Sequence, residues 1–298
     1  MAVLDFGSCN MDLVYRVPYI VAPGETLTCL GYNKFPGGKG VNQAIALARA
    51  GTDVYMAGCV GTDDTVLRPL LRQEGVNCEY LSVVAQPTGQ AIIQVDDRGE
   101  NAIVAFPGAN FEVTKERIDE VLSHFAPGDL LILQNEISNL PYLVDCAWER
   151  GLKILLNPSP FNRVIGQLDL DKLYCLILNE VEAGQFYQTD ENVFMERFFS
   201  EHPRVRVMLT LGSRGCVYME GGRRFTQQAF RVDAVDTTAA GDTFTGFFVA
   251  GLCKEWPVKK TLRTASAAAA LAVTRQGAAP SIPTMEEVLR RIDEMEEM

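Results

Sequence analysis

The sequence predicts an α/β fold, a three-layer α/β/α sandwich with a mainly parallel central sheet and a small β-sheet lid. Three observations carry that expectation. Short apolar runs alternate with amphipathic stretches over most of the chain, which is the pattern of βαβ units whose sheet is covered on both faces. Two β-rich segments, 12–36 and 90–106, interrupt the alternation early. The chain has 298 residues, 47% hydrophobic and 22% charged, which suffices to bury a full core without disulfide or metal staples.

The elements follow in order. Val3 to Phe6 is an apolar run that stops at Gly7-Ser8, a buried strand. Segment 12–36 mixes apolar and polar residues and carries Pro18, Pro23-Gly24 and Pro36-Gly37, which suits exposed strands. Residues 38–50 place Val41, Ala44, Ile45, Leu47 and Ala48 on one side of a helix that Gly51 stops. A strand is expected at 54–60, a helix opened by Asp63-Asp64 and closed by Gly75, and a strand at 81–84. Apolar runs 91–95 and 102–106 flank the turn Asp96-Asp97-Arg98-Gly99-Glu100, a hairpin. Helices at 114–124, 139–150, 180–187 and 191–201 then alternate with strands at 130–134, 152–156, 175–178 and 205–210. Strands 215–219 and 223–227 bracket Glu220-Gly221-Gly222, and the last third is helical at 241–254, 258–274 and 284–296. The expected organisation is one domain, 1–298, with segments 12–36 and 90–106 forming a small antiparallel subdomain that lies over the strand ends as a lid.

Composition excludes several classes. Twenty-seven basic against 38 acidic residues give a net charge of -11, which repels a phosphate backbone and argues against nucleic-acid binding. The uncharged stretches 243–253 and 264–274 fall short of a bilayer span. The N-terminus lacks a basic, then apolar, leader, so the expected location is cytoplasmic. Eight cysteines without a C-x-x-C pair are then expected as reduced thiols rather than four disulfides. With only His124 and His202, a histidine zinc site or a Ser-His-Asp triad is poorly supplied.

Five stretches carry residues suited to chemistry. Asn10 and Asp12 follow the first strand and point the same way in extended chain. An amide beside a carboxylate can hold vicinal hydroxyls, although both residue types also favour plain turns. Gly37-Gly38-Lys39-Gly40-Val41-Asn42 precedes a helix and can bring backbone amides to an anion or a polyol. It matches neither the Walker A nor the dinucleotide fingerprint, which disfavours a dehydrogenase. Asp236-Thr237-Thr238-Ala239-Ala240-Gly241-Asp242-Thr243-Phe244 enters another helix. Its bare amides sit at the positive helix end, where phosphoryl charge would be stabilised, and Asp242 can accept a proton from an alcohol. Alternatively Asp242 merely caps the helix, whereas Asp236, six residues earlier, has no capping role and would need its own partner. Thr210-Leu211-Gly212-Ser213-Arg214-Gly215 is either a nucleotide loop or a simple turn. Asn179-Glu180-Val181-Glu182 either positions a hydrated Mg²⁺ or simply favours a helix start.

Together these stretches resemble the ribokinase (PfkB-type) carbohydrate kinases. The resemblance runs from Gly7-Ser8 to Ser281 and rests on Gly37-Gly38-Lys39-Gly40-Val41-Asn42-Gln43-Ala44 and Asp236 to Phe244. It implies an α/β sandwich with a β lid and ATP-dependent phosphorylation of a sugar at a primary hydroxyl, with D-ribose giving ribose 5-phosphate. It implies Asp242 as catalytic base, Ala239, Ala240 and Gly241 as anion hole, and Lys39 as a further catalytic group. The implied sugar set is Asn10, Asp12, Gly38, Lys39, Asn42 and Glu136, together with Asp242. The implied nucleotide set is Asn179, Thr210, Gly212, Ser213, Gly215, Gly241 and Ser266. Glu182 is implied to hold Mg²⁺ through water. A monovalent cation, K⁺, is implied at Asp236, Thr238, Ala272, Arg275, Gly277 and Ser281, mostly on carbonyl oxygens. Ser266 stands where the family often carries a histidine near adenine. Alternatives within this resemblance are a kinase for another sugar or a nucleoside; outside it, a catalytically silent sugar sensor. Apolar Ile92, Ile93, Ile103 and Val104 give the lid strands two apolar faces, so a homodimer through the lid is expected.

Overall fold

The computed structural model describes residues 1–296. In chain order the strands and helices begin with β1 (Val3–Phe6), β2 (Asn10–Arg16), β3 (Gly31–Gly37), α1 (Lys39–Arg49), β4 (Val54–Gly61), α2 (Leu67–Gln73) and β5 (Leu81–Val84). They continue with β6 (Gly89–Val95), β7 (Asn101–Phe106), α3 (Lys115–Leu122), β8 (Leu130–Gln134), α4 (Leu140–Glu149), β9 (Lys153–Asn157), β10 (Cys175–Asn179), α5 (Glu180–Tyr187) and α6 (Glu191–Glu201). The last are β11 (Arg206–Thr210), β12 (Cys216–Glu220), β13 (Arg223–Gln227), α7 (Ala240–Cys253), α8 (Val258–Val273) and α9 (Met285–Arg291).

A nine-stranded sheet runs β13-β12-β11-β10-β9-β8-β1-β4-β5. It is parallel from β11 to β5 and closes with the antiparallel β11–β12–β13 edge. Successive side chains of β1 show how the two faces are filled. Val3 joins a core with the buried faces of α1, α2, α7, α8 and α9, whereas Leu4 and Phe6 join a second core with α3, α4, α5 and α6. Each large apolar side chain in these layers contributes about 1.5–3 kcal/mol by leaving water. On the first face, the fully buried Phe247 and Phe248 of α7 pack in the same layer as α1.

A separate four-stranded sheet, β3-β2-β6-β7, comes from the two β-rich segments. It is not wholly antiparallel as the sequence suggests: β2 and β6 pair in parallel, Asn10 opposite Gly89 through Arg16 opposite Val95. The reason is topological. β2 leaves the end of β1 and β6 follows β5, both strands of the parallel sheet, so the two enter the small sheet in the same sense. Two helix boundaries also differ. Asp64 accepts the amides of Val66, Leu67 and Arg68 at 3.0, 2.7 and 3.1 Å, so it caps α2 and the helix starts at Leu67. The final helix ends at Arg291, before a single 3₁₀ turn at Glu294–Glu296. All eight cysteines are free thiols, and among the described residues no helix is long and apolar enough to cross a membrane.

Candidate active site

The site forms where the loops after β1 and β8 meet the starts of α1 and α7. Gly38 precedes α1 with φ 93°, a conformation open to glycine, and a Cβ there would fall 2.8 Å from the Asn10 amide nitrogen. That close approach lets Ser8 tie down the first turn. Its carbonyl accepts from the Val41 amide at 3.1 Å and its Oγ from the Gly40 amide at 3.4 Å. Ser8 Oγ in turn donates to Glu136 Oε2, which also accepts the Lys39 amide at 3.4 Å. Thus Glu136, beyond the end of β8, is locked to the glycine-rich turn 97 residues away.

Asp242 lies in the first turn of α7 and is buried. Its Oδ2 accepts from Asn42 Nδ2 at 3.1 Å and its Oδ1 from Gln43 Nε2 at 2.9 Å. Ala239, at the start of that helix, has φ 59°, a left-handed conformation that costs a residue with a Cβ about 1–2 kcal/mol. The tight bend turns the 239–241 backbone into the helix start beside Asp242. The Ala240 amide donates to Thr237 O at 3.2 Å. Gly241 lies within the first turn, where an amide has no acceptor inside the helix.

The electrostatics form a tight group. Burial alone would push the Lys39 ammonium down, but the carboxylates of Asp242, Glu136 and Glu182 hold it above its ordinary value. Burial raises Glu136, against the opposing pull of Lys39 and the Ser8 hydroxyl. Burial, helped by repulsion from Glu136 and Asp242, pushes Asp12 up to about 6. Asp12, on β2 of the small sheet, therefore faces the same space as residues of the large one. Asn10 is anchored through Asn110 Nδ2, which donates to its Oδ1 at 2.7 Å.

The residues expected on the nucleotide side lie along β10, β11 and β12. Asn179 and Thr210 are register partners at the ends of neighbouring parallel strands. Asn179 and Glu182 form a reciprocal cap: Asn179 Oδ1 accepts the Glu182 amide at 2.9 Å, and Glu182 Oε2 accepts the Asn179 amide at 3.0 Å. The helix-start reading of this stretch is thus realised, and one oxygen of Glu182 is left beyond the cap. Loop 211–215 closes through Leu211 N to Gly215 O at 2.8 Å, with Gly212 and Ser213 in its turn. Ser266 on α8 is buried, its Oγ 3.9 Å from Cys216 Sγ, which places it behind that loop.

Asp236 joins two segments. Its Oδ1 accepts the Thr238 amide and its Oδ2 the Gly277 amide, each at 2.9 Å. Burial would raise its carboxyl, but bonds from Thr238 and Gly277 outweigh that and hold it low. The amides of Val235 and Asp236 both reach Val273 O, and Ser281 Oγ donates to Ala278 O at 2.8 Å. Ala272 accepts the Arg275 amide at 3.0 Å, and the Arg275 side chain pairs with Glu287 at 3.0 Å. The loop before Ala239 and the segment 272–281 are therefore one unit. Among the described residues, no group of three or more His, Cys, Asp or Glu side chains is placed to hold a metal directly.

Sequence reasoning missed several members of the site: Ser8, Asn110, Gln43, and the buried pair Asp5 and Gln134 beneath Asp242. The signals were an acid inside the apolar run Val3–Phe6 and a glutamine ending Leu130–Gln134. Depressions of about 400 and 320 Å³ lie elsewhere, around Trp148 and Lys172 and around Phe161 and Phe186, and share no residue with this site.

A doubly wound sheet, a small second sheet and a helix-start carboxylate beside a glycine-rich turn fit the carbohydrate-kinase class that the sequence resembles. The chain belongs to the pfkB family of carbohydrate kinases, whose model matches residues 2–285. It is 36% identical to a ribokinase of Haemophilus influenzae over 96% of this chain and 97% of that one. It is 37% identical to a ribokinase of Schizosaccharomyces pombe, over 96% of each. Among solved structures, it matches a ribokinase of Thermotoga maritima with TM-score 0.88 at 34% identity, over 98% of this chain and 99% of that one. It matches an Arabidopsis thaliana ribokinase complexed with ribose and ATP with TM-score 0.84 at 28% identity, over 98% and 99%.

Proposed function

We propose that this kinase transfers the γ-phosphoryl group of ATP to the primary hydroxyl of D-ribose. The observation that carries the reading is the buried Asp242 carboxylate at the start of α7, held by the side-chain amides of Asn42 and Gln43 on α1 and faced by Lys39. Full-length relatives named for ribose phosphorylation support the same choice of sugar. Asn10, Asp12, Gly38, Lys39, Asn42 and Glu136 bind the sugar hydroxyls. Asp242 takes the proton of the primary hydroxyl as that oxygen bonds to the γ-phosphorus. The bond from phosphorus to the bridging oxygen breaks, and ADP leaves. Ala239, Ala240 and Gly241 present helix-start dipoles to the developing charge. Asn179, Thr210, Gly212, Ser213, Gly215, Gly241 and Ser266 hold the nucleotide, while Lys39 bridges the sugar and phosphate sides.

Mg²⁺ held through water at the second oxygen of Glu182 would neutralise phosphate charge. A monovalent cation such as K⁺ would sit among Asp236, Thr238, Ala272, Arg275, Gly277 and Ser281. The low carboxyl of Asp236, which joins the two segments, supports that assignment. The small sheet acts as a lid. Ile92, Ile103, Val104 and Phe106 are exposed on it, which supports a homodimer through this face; a monomer by light scattering at micromolar concentration would refute that assembly. Eight free thiols suit a reducing cytoplasm.

A relative named deoxyribokinase, from Salmonella typhi, is 30% identical over 96% of this chain, so the panel must separate the two pentoses. A coupled ADP assay across ribose, 2-deoxyribose, fructose and a nucleoside should give the highest kcat/KM with ribose. Asp242→Asn should lower kcat about 10²–10⁴-fold. Ribose left unphosphorylated while another substrate turns over would refute the sugar assignment, and near-normal turnover by Asp242→Asn would remove Asp242 as base.

A further inference from the structure

Beneath Asp242 lies a line of polar groups in an otherwise apolar layer. Asp5 on β1 and Gln134 on β8 sit on the same sheet face as Val3, Leu130 and Ile132, all buried against α1 and α7. Gln134 Nε2 donates to Asp5 Oδ1 at 3.0 Å and to Gln43 Oε1 at 2.9 Å. Gln43 Nε2 then donates to Asp242 Oδ1 at 2.9 Å. Asp5 and Gln43 have no solvent exposure and Gln134 almost none. Burying a carboxyl and two amides costs more than burying apolar groups of the same size unless something else is gained.

The direction of the line is chemically constrained. A primary amide has one donor end and one acceptor end. With Asp5 accepting at the far end, Gln134 turns its NH₂ downward and toward Gln43 together. Gln43 must then accept on Oε1, which leaves its NH₂ for Asp242. Reversing Gln43 would bring its carbonyl oxygen against the Asp242 carboxylate, and reversing Gln134 would then set its carbonyl oxygen against that of Gln43. Asn42 holds the other Asp242 oxygen from the side, so the carboxylate is clamped on both edges.

We propose that Asp5, Gln134 and Gln43 are positioning residues that orient Asp242 and stabilise its ionised form, Asp5 serving as the terminal acceptor that holds Gln134 in place. The role rests on the kinase reading above. Charged or titratable groups facing Asp242 are Lys39 from α1, Asp12 from β2, Glu136 from the loop after β8, and Asp5 itself; Cys9 faces Asp5. Burial pushes the Asp5 carboxyl well above its ordinary value. An acceptor oxygen at that position is what the line requires, and it does not require a negative charge.

The test measures kcat against pH at saturating ribose and ATP for the native chain, Gln43→Met, Asp5→Leu and Asp5→Asn. Losing the bond to the Asp242 carboxylate should lower kcat about tenfold in Gln43→Met, and losing the acceptor that holds Gln134 should lower it about tenfold in Asp5→Leu. The acidic limb of the profile should move up about one pH unit in both. Asp5→Asn keeps an acceptor oxygen and should stay within about threefold of the native rate. Superimposable profiles for Gln43→Met and the native enzyme would overturn the proposal, as would Asp5→Asn as impaired as Asp5→Leu. Should Asp5→Leu not fold, Gln43→Met and Asp5→Asn decide. The ¹³C titration of the Asp242 carboxyl, assigned through Asp242→Asn, gives a reading without turnover. An upward move in Gln43→Met supports the role and an unmoved curve refutes it, even if the native chain proves inert toward ribose.

Discussion

Asp12 offers the most quantitative handle on the proposed sugar pocket. Its carboxyl is pushed up to about 6 by burial and by repulsion from Glu136 and Asp242. A sugar hydroxyl donates better to a carboxylate than to a neutral acid. At pH 5 about one tenth of Asp12 is ionised, and at pH 7 about nine tenths. Ribose affinity carried by the ionised form should therefore rise about tenfold between those pH values. The same shift has a stability consequence. The folded state binds a proton on Asp12 that the unfolded chain releases near the ordinary carboxylate value, so Asp12 lowers stability as pH rises from about 4 to about 6. The full effect is on the order of 3 kcal/mol. Asp12→Asn removes the titrating group. It should flatten the affinity profile contributed by this residue, weaken ribose at pH 7, and raise the melting temperature above pH 6. Calorimetric titration with ribose, alongside thermal unfolding from pH 5 to 8, reads both. Ribose binding in Asp12→Asn that keeps the native tenfold rise would assign the titration to another group, with Glu136 next in line because burial raises it too.

Other expectations follow from single contacts. Gly215 has φ 96°, and a Cβ there would fall 2.0 Å from Gln227 O; Gly215→Ala should displace loop 211–215 and raise KM for ATP at least tenfold with little change in ribose affinity by calorimetry. Arg49 binds Glu74 through two nitrogens, at 2.7 and 2.6 Å, and the carbonyls of Ala279 and Ile282 at 3.0 and 2.5 Å. Arg49→Ala leaves those acceptors unpaired and should cost about 2–4 kcal/mol in chemical denaturation. An unchanged denaturation midpoint would show the cluster to be incidental.

Much of this protein was legible in its residue order. Strand and helix identities followed from apolar period, because a side chain's burial repeats every two residues in a strand and every three to four in a helix. The two glycine-bearing turns stood out because small residues before a helix leave amides bare, and Asp242 and Lys39 were found within them. Alternation can expose a β-rich excursion, yet it cannot say which strands of two excursions lie side by side. The parallel pairing of β2 with β6 was set by where β1 and β5 end in the assembled sheet. Helix ends were similarly displaced, since Asp64 could lead a helix or cap one, and only the position of Leu67 against the core decided it. The partners of Asp242 were least legible. Asp5, Gln43 and Gln134 lie 199, 91 and 129 positions apart along the bonds that join Gln43 to Asp242, Gln43 to Gln134 and Asp5 to Gln134. Local pattern determines which residues can form a strand, a helix or a bare turn. Which carboxylates share a dielectric, and so which protons they hold, depends on distances that exist only after the sheet has closed its two layers.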